Sequence, residues 1–170
     1  MKKDQKINRK HFIQTLAWSA GTGLIFSPTT IFSQQKIEKD GALDPNLVKE
    51  FVIKGHGDLA KTKELLAETP GLLQAAWDWG GGDFETALDG AGHVGNQEIA
   101  NFLIEKGAKI TIFTMAMLGK LEMLKAVLTA FPSQISALGP HKLGLMHHAK
   151  KGGENALMVV DYLKNLGLKN

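Results

Sequence analysis

The chain contains six histidines, and five of them (His56, His93, His141, His147 and His148) lie beyond residue 44, in company with Asp78, Asp83 and Asp89. Imidazole and carboxylate groups suit borderline divalent metals, so these residues are the natural candidates for a metal or small-ligand site. No HExxH or comparable ligand pair occurs, and no metal and no cofactor is assigned from the sequence. The chain has no cysteine, which removes disulfides, thiolate zinc sites and cysteine nucleophiles. Glu85, Asp89 and His93 are spaced by four and would share one face of a helix. That spacing is common, and no serine sits in a nucleophile elbow. The chain is therefore not read as an enzyme. His147 and His148 are read as structural.

The most unusual stretch is AAWDWGGGDFETAL, residues 75–88. Two tryptophans flank an aspartate, three glycines follow, and then Asp83 and Phe84. The functional reading is a loop that presents Trp77, Trp79 and Phe84, with Asp78 and Asp83, to a partner, because aromatic side chains anchor interfaces, and His93 is counted with the same partner-binding set. The competing reading packs the tryptophans into a join between structural units, with the glycines turning the chain. The glycine run lacks the Lys-Ser/Thr and the preceding strand of a phosphate-binding loop.

Elements must position these residues, and the periodicity from residue 44 onward is helical. Apolar residues recur at spacings of three and four, and no alternating strand stands out. Asp44-Pro45 has the form of an N-cap followed by proline at the first helical position. The segment GDLAKTKELLAETP (57–70) aligns with GKLEMLKAVLTAFP (119–132), pairing Gly57 with Gly119, Leu59 with Leu121, Leu66 with Leu128 and Pro70 with Pro132. GNQEIANFLIEKGA (95–108) falls in the same register. Gly119 and Gly152 are separated by 33 positions. The methionines at 115, 117, 123, 146 and 158 are spaced for helix packing and are read as core.

Residues 85–108, ETALDGAGHVGNQEIANFLIEKGA, resemble an ankyrin repeat. Thr86 and Leu88 stand in the opening motif, Ala91 and Gly92 replace the paired alanines, Gly95 ends the first helix, and Gly107-Ala108 closes the unit. LGLMHHAKKGG followed by ALMVVDYLKNLG repeats the scheme. The resemblance implies an all-α fold, an ankyrin-repeat solenoid of about four helix-turn-helix units over residues 44–170. Its joins are uneven, with an insertion between Gly57 and Gly95 and a shortened link between Gly95 and Gly119. It implies left-handed glycines at 57, 95 and 119, and small residues (Ala91, Gly92, Ala116, Ala149) where units approach. It places His56 and His93 along the concave face. It also implies a monomeric, non-catalytic module for protein–protein interaction, its partner a protein of unknown identity. The alternative is a periplasmic protein that binds a metal or small ligand through His and Asp residues on the concave face.

The N-terminus carries a different signal. Residues 1–33 hold five of the basic residues and one acid, so the formal charge of +3 becomes −1 over residues 34–170. That offers no positive field for a phosphate backbone, and nucleic acid is not an expected partner. A basic start, an uncharged apolar run over 12–32 and a polar return form the pattern of a secretory signal. Arg9, Lys10, Phe12 and Ile13 resemble the twin-arginine export motif with lysine in the second arginine place, and Arg9 is the only arginine in the chain. The expected organisation is a signal over 1–33, a linker over 34–43 and the repeat domain after it. The mature protein is expected to lack a membrane span and to be periplasmic or otherwise exported.

Overall fold

The computed structural model describes residues 41–169. The export motif, the whole signal assignment and most of the linker lie outside the described residues. Eight α-helices are present among those residues: α1 Pro45–Lys54, α2 Leu59–Glu68, α3 Ala87–Val94, α4 Gln97–Glu105, α5 Ile112–Met117, α6 Leu121–Ala130, α7 Leu145–Lys151 and α8 Leu157–Asn165. The fold is mostly helical, with one small sheet in which β1 (Ala76–Asp78) pairs antiparallel with β2 (Phe84–Thr86), Trp77 opposite Glu85. That hairpin was not expected. Strands of three residues are too short to show an alternation, and their pairing depends on the glycine turn between them.

The helix starts follow from local chemistry. Asp44 accepts from the Asn46 amide at 2.8 Å, and proline occupies the next position, as expected. Asp58, Thr86, Asn96 and Thr111 cap α2, α3, α4 and α5 in the same way. Each such side chain satisfies an amide that the helix leaves without a partner, a contribution of about 1 kcal/mol. Thr86 and Asp89 form a reciprocal capping box at α3. Gly95 and Gly119 are left-handed after α3 and α5, as expected. Gly57 is not, because α1 closes through a right-handed turn at Gly55. In the last pair the left-handed residue is Gly153 and not Gly152.

The helices form four consecutive pairs, α1–α2, α3–α4, α5–α6 and α7–α8, each packed together. The first helices of successive pairs also touch, and α3 reaches α7 directly across the short α5. Fully buried Ala91, Ala116 and Ala149 sit on those first helices. Phe51, Leu72, Leu88, Ile99, Leu103 and Met117 form one core, and Leu124, Leu145, Val159 and Leu163 centre another. Met117 and Met146 are buried as expected, whereas Met123 and Met158 are exposed on outer helix surfaces. No helix of the described residues is long and apolar enough to cross a membrane.

Candidate functional site

The site is assembled from four places in the chain. The hairpin delivers Trp79 and Glu85, the turn after α1 delivers His56, the last turn of α3 delivers His93, and the loop before α7 delivers His141. Asp78 shapes the hairpin, its Oδ1 accepting from the amides of Gly80 (2.8 Å) and Gly82 (3.2 Å). Gly80, Gly81 and Gly82 all have positive φ, which is what allows the chain to reverse there. Gly90 makes room for His56: a Cβ on it would lie 2.7 Å from the ring's Cε1.

Glu85 is the centre. Its side chain is fully buried, and three imidazoles face a single carboxylate oxygen, Oε1. His93 Nδ1 lies 2.9 Å from that oxygen, His141 Nε2 3.4 Å and His56 Nε2 3.5 Å. The other oxygen, Oε2, accepts from the indole N–H of Trp79 at 2.7 Å. Burial pushes the Glu85 pKa up, but the contacts from His56, His93 and Trp79 outweigh it and hold the value at about 2. The Glu85 carboxylate in turn raises the pKa of His56 against the opposing effect of burial.

The ring orientations are fixed from behind. His56 Nδ1 is 2.9 Å from the Val52 carbonyl, which only accepts, so Nδ1 carries the proton and Nε2 faces Glu85. His141 has a positive φ of 56°, a strained setting for a residue with a side chain. Asp83 secures it twice, accepting from its amide at 2.8 Å and standing 2.9 Å from its Nδ1. His93 and His141 meet edge to face with centroids 5.1 Å apart, and His56 and His93 do so at 4.8 Å. His147 Nε2 touches the carbonyl of His93 at 2.9 Å, bracing α3 from α7.

A pocket of about 410 Å³, lined by Ile53, His56, Trp79 and His141, opens beside this cluster. Trp79 is 38% exposed and Phe84 60% exposed. The residues singled out in the hairpin thus divide. Trp79 lines the pocket and Asp83 supports it through His141, as His93 does from α3 through Glu85, whereas Phe84 is exposed elsewhere on the hairpin. Trp77 is half-buried against the first core with Lys49 over its ring at 5.2 Å, and Asp78 serves the turn. Trp77 thus packs at the join as the competing reading has it, whereas Trp79 stays partly exposed beside the pocket. Glu85 and His93 do meet, but not along a shared helix face as expected: Glu85 sits on β2, and the hairpin brings it back over the last turn of α3. Asp89, the third of that series, is turned to the cap, and its burial raises its pKa. His148 is structural as expected: it is buried, and its Nδ1 donates to the Gly144 carbonyl at 2.9 Å. Sequence reasoning missed the central role of Glu85 and the arrival of His141, 58 positions from Asp83.

A second groove of about 460 Å³ lies between α2 and α4, lined by Leu66, Pro70, Leu73 and Phe102 with Lys63 and Lys106 at its rim. It is apolar and holds no cluster of ionisable groups that could act on a ligand. Compared with known proteins, the chain matches no family model, no curated protein and no solved structure.

Proposed function

We propose that the chain is an exported, non-catalytic binding module of ankyrin-like helix pairs, and that it receives a protein partner at the face carrying Trp79, Phe84 and the pocket beside Glu85. The observation that carries this reading is the anchoring of Trp79. Its indole N–H is tied to a buried carboxylate, so the ring is held in place while more than a third of the residue stays open to solvent. A rigid aromatic wall beside a pocket, on a hairpin that also exposes Phe84, loses little freedom on binding and suits an interface anchor. The repeated segments support the ankyrin-like reading, and the basic-apolar-polar N-terminus with its single arginine supports export.

A photo-crosslinking amino acid placed at Phe84 and, separately, at Lys63 in the second groove tests the binding face in cells. The expected result is a discrete adduct from position 84 that disappears with Trp79→Ala, and none from position 63. Equal labelling at both positions, or an adduct indifferent to Trp79→Ala, would remove the reading. Cell fractionation tests the export route: an Arg9→Lys variant is expected to accumulate in the cytoplasm, and normal export of that variant would remove the twin-arginine assignment.

A further inference from the structure

We propose that His56 Nε2, Glu85 Oε1 and His93 Nδ1 form a binding site for a divalent transition-metal ion of the zinc type, with the fourth coordination position open toward the pocket. This goes beyond the partner-binding reading and does not depend on it. The three ligand atoms lie within 4.8 Å of one another. Two donors bound to one zinc ion at about 2.0–2.1 Å in tetrahedral geometry stand roughly 3.4 Å apart. The observed separations from Oε1, 2.9 Å and 3.5 Å, bracket that value.

The second observation is independent of the spacing. Glu85 Oε1 and His93 Nδ1 are both buried, and neither has an aligned hydrogen-bond partner among the described residues, although they are 2.9 Å apart. Buried polar atoms are otherwise nearly always paired, so two neighbouring unpaired atoms of ligand type point to an ion that both can bind. The surrounding groups have the form of a metal site's outer support. The Val52 carbonyl holds the Nδ1 proton of His56, presenting the Nε2 lone pair to Glu85. Trp79 takes Oε2 and leaves Oε1 for the ion. Such partners fix ligand orientation in known metal sites. Charge agrees as well. With neutral imidazoles the cluster carries the Glu85 carboxylate, with Asp83 close by through His141, and a divalent cation neutralises the pair. Two imidazoles and one carboxylate favour zinc or its neighbours over magnesium or calcium, which take oxygen ligands. His141 Nε2, 3.4 Å from the same oxygen and backed by Asp83, borders the position left open.

The test is isothermal titration of the purified full chain, stripped with chelator, using zinc chloride, with magnesium chloride as the comparison. Cobalt(II) serves as a spectroscopic probe of tetrahedral coordination. The expected result is one zinc per chain, no magnesium binding, and an intense visible cobalt spectrum. Replacement of a single ligand in His56→Ala or His93→Ala should weaken zinc binding by at least about tenfold, since even supporting residues change affinity on that scale. Circular dichroism of both variants separates lost ligation from lost folding, and His56, the more exposed of the two, is the variant expected to keep its fold. Absence of zinc binding by the folded wild type overturns the site, as does unchanged binding in a folded His56→Ala variant. The crosslink from position 84 in the otherwise wild-type chain, measured in parallel, reports on the partner reading alone: absence of any adduct with zinc binding intact overturns that reading and leaves the metal site standing.

Discussion

The indole N–H of Trp79 and the Oε2 atom of Glu85 are joined across 2.7 Å, and this bond ties the glycine-turned hairpin to the buried charge at the centre of the site. Trp79→Phe keeps an aromatic ring and removes the donor. A buried carboxylate oxygen then loses its partner, which costs about 1–3 kcal/mol. Urea denaturation of wild type and variant measures the difference. A loss below about 0.5 kcal/mol would mean that water replaces the indole and that the bond does not hold the hairpin.

Two left-handed glycines allow a controlled comparison. Gly119 has φ +67°, and a Cβ there would collide with the Asn155 carbonyl, whereas Gly107 has φ +96° and open space around it. Gly107→Ala should cost only the left-handed backbone penalty, about 1–2 kcal/mol. Gly119→Ala should cost that plus about 1–3 kcal/mol for displacing the chain that leads into α8. Thermal or urea unfolding ranks the two, and equal losses would show that the turn before α6 and the Asn155 segment are not pressed together.

His148 sets a pH dependence. Its ring is buried against Phe113, with centroids 5.1 Å apart, and burial pushes its pKa down to about 4. The unfolded chain therefore binds a proton near the ordinary value of 6.5 while the folded chain stays neutral. Between those values the unfolded state holds more protons, so stability rises with pH and is lost as pH falls from about 6.5 toward 4, by about 3 kcal/mol in all. Stability curves for wild type and His148→Gln across that window check this. The variant should show a shallower slope, and parallel curves would contradict the assignment.

Much of the helical framework can be read directly from the residues. Asp44-Pro45, the aligned 57–70 and 119–132 segments, and the glycines at 95 and 119 each act locally, through a cap, a packing stripe or a turn, and local causes leave local patterns. Gly57 resembles the other glycines in position, but the preceding Gly55 packs against Ala87 and closes the helix first. Only a contact between units reveals that. The candidate site was half visible for the same reason. Glu85, Asp89 and His93 stand out by their spacing, but Glu85 meets His93 from a strand, through a hairpin the periodicity does not show. His141 arrives from a loop whose course depends on how the third and fourth pairs pack, and its left-handed backbone is held by Asp83 from the hairpin. Met123 and Met158 carry the apolar signature of core residues, yet both are exposed on the outer surfaces of α6 and α8.

The reach of α3 to α7 past α5 has a mechanical meaning. A linear array in which each unit touches only its neighbours can fray from its ends one unit at a time. Here Gln97 donates to the Gly152 carbonyl at 2.9 Å, Asn155 donates to Gln97 at 2.7 Å, and the hairpin's Asp83 grips the loop before α7. The chain is thus laced between its second and fourth pairs, and the terminal pair cannot peel away without undoing the middle of the array. Opening of the C-terminal end would carry His141 away from Glu85, so the third imidazole of the cluster stays in place only while the fourth pair holds.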